Sequence, residues 1–192
     1  MKLLLTSAGM HLRKEIEEFV SEVKPPVRVL HVLTAAKREK VIDFVRDDIK
    51  VMKELEWQVT DIDLDGKNEE DLRNLLKNID VVYVQGGNTF YLIDAIRKSG
   101  FEKALREFLN NGGRYIGVSA GTLVAGRSIK FAEGADLNEI NMTDYSGMGL
   151  VDLIIDVHCE SGSNKDEVVK LTDNQAILVE GDEIRIIGKK EV

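Results

Sequence analysis

Hydrophobic and polar positions along the chain follow two patterns. Short runs that are apolar at every position predict buried strands, and longer stretches with apolar residues three and four positions apart predict amphipathic helices. The predicted strands cover residues 2–6, 27–33, 58–64, 81–84, 115–118 and 150–158. The predicted helices cover residues 12–23, 37–55, 69–76, 89–98, 102–109, 120–125 and 165–171. Apolar strands that are separated by helices are typical of a parallel sheet covered on both faces.

The last part of the chain predicts a different arrangement. Residues 176–179 and 183–187 are apolar runs on either side of a Gly-Asp turn, which predicts a β-hairpin. We therefore expect an α/β fold with a doubly wound, mostly parallel sheet of the flavodoxin-like type and a C-terminal β-hairpin. A length of 192 residues suits a single domain over residues 1–192 that buries a sizeable core.

The composition of the chain limits the partners and cofactors that we expect this protein to bind. The 26 basic and 34 acidic residues give a net charge of -8, which excludes general binding to nucleic-acid backbones because such binding needs a basic surface. One cysteine excludes an internal disulfide, and three histidines leave little for a metal site, so we expect no metal and no cofactor. The apolar run at residues 3–5 is too short for a signal peptide or a membrane span. We expect a cytoplasmic protein without a membrane partner.

A possible nucleophile lies in the middle of the chain. Residues 117–121 read GVSAG and match the pattern G-x-S-x-G, after an apolar strand and before a helix that starts with small residues. This is the context of a nucleophile elbow, in which a sharp turn presents the serine hydroxyl above the sheet. Ser119 is therefore the candidate nucleophile. The alternative is a tight strand–helix turn with an incidental serine.

A second glycine-rich turn, QGGNT at residues 85–89, also joins a buried strand to a helix. Sites in open α/β sheets form beyond the carboxyl ends of the strands, so both turns should lie at one site. Acyl transfer needs N–H donors for the oxyanion, and we expect the amides of Gly87 and Ala120 in that role. Asn88 is a further candidate for substrate binding. The alternative is that Asn88 or Thr89 only caps the helix.

A serine nucleophile needs a general base. His158 ends a predicted strand, where a site residue should lie, whereas His31 lies inside a predicted buried strand and His11 follows the first strand. We therefore choose His158. Cys159 should point to the opposite face of that strand as a small buried residue, because side chains alternate along a strand.

The base in turn needs a carboxylate that orients it. Asp136 lies in a glycine-bearing loop, Glu160 is two residues after His158, and Asp173 precedes the final hairpin. The spacing does not choose among these three acids. For each of them the alternative is an ordinary surface carboxylate.

Three segments together resemble the S51 serine peptidases, which include peptidase E (the α-aspartyl dipeptidase) and the related cyanophycinases. The segments are YVQGGNTFYLIDAIRKSGF, GGRYIGVSAGTLVAG and VDLIIDVH. The resemblance implies a doubly wound α/β fold similar to class I glutamine amidotransferases. It also implies Ser119 as nucleophile, His158 as base and oxyanion donors at Gly87 and Ala120. Asp173 lies where the family has a glutamate as the third member.

The resemblance implies a serine-type, dipeptidase-like enzyme that hydrolyses small peptides through an acyl-enzyme, and a homodimer. Aspartyl specificity in the family depends on an arginine after the catalytic histidine. This chain has no arginine between Arg127 and Arg185, and Lys165 and Lys170 cannot replace a bidentate guanidinium. The sequence therefore does not predict aspartyl specificity. The alternatives are an esterase or amidase, a cyanophycinase-like hydrolase, and a non-catalytic binding protein on the same fold.

Overall fold

The strands of the computed structural model, which describes residues 1–165 and 167–189, form two sheets. Seven strands form the main sheet, in which five parallel strands are extended at one side by an antiparallel pair. The described strands are β1 (Lys2–Thr6), β2 (Arg28–Val32), β3 (Gln58–Ile62), β4 (Val81–Val84), β5 (Arg114–Val118), β6 (Ile154–Asp156), β7 (Ser163–Lys165), β8 (Val168–Lys170), β9 (Gln175–Glu180) and β10 (Glu183–Gly188). The main sheet has the order β10-β9-β1-β5-β4-β2-β3, and the small sheet has the order β6-β8-β7. The predicted mostly parallel α/β sheet with a C-terminal hairpin is confirmed.

Helices cover both faces of the main sheet. The described helices are α1 (Arg13–Val20), α2 (Asp43–Glu54), α3 (Glu69–Leu76), α4 (Thr89–Ser99), α5 (Phe101–Asn110) and α6 (Ala120–Ala125). Leu3 and Leu5 of β1 pack in one core with helices α3 to α6, whereas Leu4 packs in a second core with α1. Successive side chains of a strand point to opposite faces, so a strand between two helical layers must be apolar throughout. None of the helices in the described residues is long and apolar enough to cross a lipid bilayer.

The helix predicted over residues 37–55 begins later in the structure. A short 3₁₀ turn, Thr34–Arg38, precedes it, and α2 starts at Asp43. Val41 and Phe44 have the spacing of a buried helix face, yet they are 65% and 38% exposed. The apolar spacing extends into the loop before α2, and the core-facing residues of the helix are Val45 and Met52.

Two elements predicted after β5 are wrong. The strand predicted over residues 150–158 shrinks to β6, because residues 150 and 151 donate backbone hydrogen bonds to Ala125 at the end of α6. The helix predicted over residues 165–171 is replaced by the antiparallel strands β7 and β8, and Asp166 lies outside the described residues. The β-branched residues Val168 and Val169 favour a strand. A segment of seven residues is too short to distinguish the apolar spacing of a helix from that of a strand.

Candidate active site

Three neighbouring parallel strands end at the same edge of the main sheet. β5 lies between β1 and β4, so the residues that follow these strands are brought together: Ser7 after β1, Ser119 after β5 and Gln85 after β4. A cleft of about 390 Å³ opens at this edge. It is lined by these turns, by residues from α2 and the loop before it, and by Asp136 and His158.

Ser119 occupies a sharp turn between β5 and α6. Its backbone has φ 48° and ψ -107°, a strained conformation for a residue other than glycine. A Cβ atom on Gly121 would lie 2.2 Å from the carbonyl oxygen of Val84, so a glycine is required for the helix to approach β4. The strand–turn–helix context that G-x-S-x-G predicts is therefore present, and Ser119 lines the cleft.

The side chains of Ser119, His158 and Asp173 form a continuous hydrogen-bonded chain. Nε2 of His158 lies 3.0 Å from Oγ of Ser119, and Nδ1 of His158 lies 2.6 Å from Oδ1 of Asp173. With the ring proton on Nδ1, the imidazole donates to the carboxylate and accepts from the hydroxyl. A nucleophile, a base within its reach and an acid that orients the base are the parts that serine-based acyl transfer needs.

His158 and Cys159 do not lie on a strand as expected. β6 ends at Asp156, and His158 has a positive φ of 57°. The expected alternation of side chains therefore does not apply to these two residues. The thiol of Cys159 is 3.7 Å from the carbonyl oxygen of Val157, and burial raises its pKa to about 11. A thiol with such a pKa is a poor nucleophile at neutral pH.

The two other histidines lie elsewhere. His31 is fully buried on β2, where its Nδ1 is 2.9 Å from Oδ1 of Asp61. Burial lowers the pKa of His31, which favours the neutral ring. His11 is exposed, and its Nε2 lies 3.1 Å from Oδ1 of Asn174.

The three candidate acids have different surroundings. Asp136 accepts a hydrogen bond of 2.8 Å from the backbone amide of Thr89 and so contacts the start of α4. Glu160 is exposed. Among the described residues, Asp173 is the carboxylate that is hydrogen-bonded to His158.

Sequence reasoning missed Ser7, which is fully buried and contacts His158 and Asp173. Its hydroxyl donates to Oδ1 of Asp173 at 2.8 Å and accepts a 2.8 Å hydrogen bond from the backbone amide of His158. The available signal was its position: Ser7 follows β1 just as Ser119 follows β5. Small polar residues directly after a buried parallel strand are candidates for a site at that edge of the sheet.

The turn after β4 brings a backbone amide to the cleft. Gly87 has φ 128°, and a Cβ atom there would lie 2.4 Å from the carbonyl oxygen of Ala35, so the position requires glycine. Within the described residues, neither the amide of Gly87 nor that of Ala120 donates a hydrogen bond. Neither amide is therefore engaged by an acceptor of the described residues.

The sequence model of Peptidase family S51 matches residues 3–187 of the chain. The chain belongs to peptidase family S51. It is 26% identical to an uncharacterized peptidase of Listeria monocytogenes over 95% of this chain and 96% of that protein. It is 28% identical to peptidase E of a Nostoc species over 95% of this chain and 80% of that protein. The family resemblance expected from the sequence is confirmed, and the protein is a serine peptidase.

Solved structures agree with this assignment. The fold matches a Listeria monocytogenes protein provisionally assigned as a peptidase E, with a TM-score of 0.89, 26% identity and 98% of each chain covered. A peptidase from an acI-B1 actinobacterium has the same fold at a TM-score of 0.67 and 20% identity, with 98% of this chain and 87% of that chain covered.

Asn88 of this S51 peptidase serves the turn rather than the cleft. Its Oδ1 accepts from the amide of Tyr91 at 2.9 Å, and its Nδ2 donates to the carbonyl oxygen of Leu137 at 2.9 Å. Asn88 is the N-cap of α4, which is the alternative interpretation of its sequence position. These contacts show the capping role, and a role of Asn88 in substrate binding stays a prediction.

The cleft of the S51 peptidase carries acidic side chains. Glu39, Asp48 and Asp136 line it together with His158, and no lysine or arginine of the described residues does so. Burial raises the pKa of Asp48. The hydrogen bonds that its carboxyl group accepts act in the opposite direction and offset part of this increase. Residues 1–165 and 167–189 contain no group of three or more His, Cys, Asp and Glu side chains that could hold a metal ion.

Proposed function

We propose that this S51 peptidase hydrolyses small peptides of dipeptide size through Ser119, His158 and Asp173, with an acyl-enzyme intermediate. The observation that carries the proposal is the hydrogen-bonded chain from Oγ of Ser119 through both nitrogens of His158 to Asp173. A serine hydroxyl is a weak nucleophile until such a base is in place.

In the proposed first step, Nε2 of His158 takes the Ser119 proton while Oγ attacks the carbonyl carbon of the scissile peptide. The tetrahedral intermediate collapses when the C–N bond breaks, and His158 gives the same proton to the leaving amine. Water, deprotonated by His158, then hydrolyses the acyl-enzyme ester and restores Ser119. Asp173 holds the Nδ1–H of His158 and stabilises the imidazolium that forms in each step.

The amides of Gly87 and Ala120 supply the proposed oxyanion hole. Gly87 lines the cleft, and Ala120 is the first residue of α6, directly after the nucleophile. Neither amide donates to another described residue, so neither must give up a hydrogen bond to reach an oxyanion. Loss of one such donor typically costs about 10²–10³ in rate.

The cleft favours small substrates without a negative side chain. Its volume of about 390 Å³ lies within the range of ligand pockets and is sufficient for a dipeptide. Glu39, Asp48 and Asp136 line it, and no cation of the described residues does, so an aspartyl side chain would meet like charges. Neutral or basic small peptides are therefore the proposed substrates.

The test is release of free amino acids from a panel of dipeptides by the wild type and by Ser119→Ala, followed by chromatography. We expect release by the wild type and a loss of at least about 10³-fold in the variant. A fluorophosphonate should label Ser119 of the wild type and leave the variant unlabelled. Equal dipeptide turnover by the two proteins would end the proposal.

A further inference from the structure

We propose that Asp48 and Gln85 are positioning residues, which hold the turn after β4 so that the amide of Gly87 points at the oxyanion of the reaction. The inference rests on the proposed hydrolysis at Ser119. It adds two side chains that do not touch the reacting atoms but fix a backbone donor that does.

Asp48 is the first part of this arrangement. It projects from α2 to the cleft and is 7% exposed. Its Oδ2 accepts hydrogen bonds from the hydroxyl of Tyr83 at 2.7 Å and from Nε2 of Gln85 at 2.9 Å, and its Oδ1 accepts from the amide of Met10 at 3.1 Å. Both oxygens of this buried side chain therefore act as hydrogen-bond acceptors within the protein.

Gln85 carries the connection from Asp48 to the turn. It is fully buried, and its Oε1 accepts a 2.8 Å hydrogen bond from the amide of Gly86. If the side-chain amide of Gln85 were turned by 180°, its Oε1 would face the carboxyl oxygen of Asp48 and its NH₂ group would face the N–H of Gly86. Both of these contacts would be repulsive. Asp48 therefore decides which end of the Gln85 amide faces the backbone.

These contacts fix the turn on two sides. Gln85 binds the amide of Gly86, while the carbonyl oxygen of Ala35 accepts a 3.1 Å hydrogen bond from the amide of Asn88. A Cβ atom on Gly86 would lie 3.1 Å from the Cβ of Ser119, so the turn packs directly on the nucleophile. The Gly87 amide, between the two fixed points, is the one left to face a ligand.

The fold makes room for this arrangement at Gly9. Gly9 has φ 56°, and a Cβ atom there would lie 2.7 Å from Oδ2 of Asp48 and 2.8 Å from the hydroxyl oxygen of Tyr83. Burying a carboxylate is unfavourable, and an apolar side chain would fill the same space at lower cost. A buried acid that lines the same cleft as the nucleophile, with a glycine that allows its contacts, points to a role in the reaction.

The first experiment compares Gln85→Met, which keeps the length of the side chain and removes both hydrogen bonds, with Asp48→Asn. Ser99→Ala is the matched control because it removes a buried side-chain hydrogen bond, 2.7 Å to the carbonyl oxygen of Ala95, outside the cleft. We expect kcat on the best dipeptide to fall about 10- to 100-fold in both variants, less than the loss of a whole oxyanion donor. KM for a dipeptide with uncharged side chains should stay within about twofold, and Ser99→Ala should behave as the wild type.

The second experiment measures kcat of the conservative variant Gln85→Glu and of the wild type over a range of pH. The ratio of the two kcat values at each pH is then compared. When the carboxyl introduced at position 85 is protonated, it can donate to Asp48 and still accept from the amide of Gly86, so the arrangement is restored. When both carboxyls are ionised they repel each other, with Tyr83 and His31 as the other titratable groups nearby. We expect the ratio to rise as the pH is lowered, whereas a merely structural loss would leave it constant.

Failure of this inference is distinguishable from failure of the proposed function. If Ser119→Ala is inactive but Gln85→Met and Asp48→Asn keep the kcat and the fluorophosphonate labelling rate of the wild type, the positioning role is wrong. If the wild type itself neither cleaves dipeptides nor reacts with the probe, the proposed function fails. Amide NMR spectra then decide: faster exchange at the Gly86 amide together with a shifted Gly87 amide resonance in Gln85→Met supports the arrangement, and an unchanged Gly87 resonance overturns it.

Discussion

The buried hydroxyl of Ser7 donates a 2.8 Å hydrogen bond to Oδ1 of Asp173, the same oxygen that contacts His158. It also accepts a hydrogen bond from the backbone amide of His158. The side chains of His158 and Asp173 are about half exposed, at 50% and 52%. Ser7 therefore connects two half-exposed residues to the end of β1, an interior strand of the main sheet.

Replacement of Ser7 by alanine should lower kcat about tenfold. The change removes one donor to the Asp173 carboxylate and one acceptor for the His158 amide, and hydrogen bonds to charged groups are worth about 1.5–3 kcal/mol. Steady-state kinetics on the best dipeptide measure the effect. Ser99→Ala, another buried serine, controls for the loss of a hydroxyl, and equal kcat values for the two variants would show that Ser7 has no special role.

Replacement of Asp173 by asparagine should lower kcat by about 10³–10⁴-fold with little change in folding. The amide keeps the shape of the side chain but loses the charge that stabilises the imidazolium, and it can stabilise the wrong tautomer of His158. Glu160→Gln should keep the kcat of the wild type, because Glu160 is exposed and has no hydrogen bond to His158. If Glu160→Gln has the larger effect, the acid is assigned to the wrong residue.

The parts of the site that depend on neighbouring residues could be predicted from the sequence. G-x-S-x-G predicts its own turn, since a serine between small residues after an apolar strand and before a helix allows few other conformations. β4, α3 and α6 also have the predicted bounds, because each is indicated by its own residues: β4 is apolar throughout, α3 has helical spacing of apolar residues, and α6 directly follows the elbow.

The rest depends on contacts between distant segments. Ser7 is more than 150 positions from His158 in the sequence, and several elements lie between Asp48 and Gln85. The spacing of these residues in the sequence therefore does not predict that they are in contact. His158 lies in the loop after β6 rather than on a strand, and its backbone amide donates to the hydroxyl of Ser7. Local periodicity cannot show such hydrogen bonds.

Cys159 should react slowly with iodoacetamide in the folded protein. Burial raises the pKa of its thiol to about 11, so at pH 8 the thiolate fraction is about 100-fold below that of an unperturbed cysteine. Mass spectrometry should show little alkylation in the native protein and rapid alkylation in urea. Cys159→Ser should retain the peptidase activity of the wild type, and inactivation of the wild type by iodoacetamide in step with Cys159 alkylation would contradict the prediction.

Replacement of Asp80 by asparagine should destabilise the fold by about 1–3 kcal/mol at pH 7. Asp80 accepts hydrogen bonds from the Arg28 guanidinium at 2.7 and 2.8 Å and from the Arg28 amide at 2.9 Å, and these contacts lower its pKa. A carboxylate whose pKa is lower in the folded than in the unfolded protein stabilises the fold at pH values above its pKa in the unfolded protein. This stabilisation is lost as the pH falls through its pKa in the folded protein.

Urea unfolding at several pH values measures this effect. The difference between the wild type and Asp80→Asn should shrink as the pH falls below about 4. Asp43→Asn is the control, because its ion pair with Arg46 is exposed at 72% and 71% and should contribute little. Equal losses in the two variants at pH 7 would contradict the assignment.

Reversal of the charge at Glu39 should change which dipeptides are cleaved fastest. Glu39 is an exposed carboxylate that lines the cleft, so a lysine there attracts an aspartyl substrate and repels a lysyl one. The reversal replaces a repulsion by an attraction for the Asp side chain and an attraction by a repulsion for the Lys side chain. With about 0.5 kcal/mol for each of these four exposed interactions, Glu39→Lys should raise the ratio of kcat/KM for Asp- over Lys-containing dipeptides by roughly 30-fold. Asp47→Lys makes the same change of charge at an exposed position of α2 that does not line the cleft. A shift that is specific to Glu39→Lys and fades with added salt therefore assigns the preference to the cleft, whereas equal shifts in both variants would assign it to net charge.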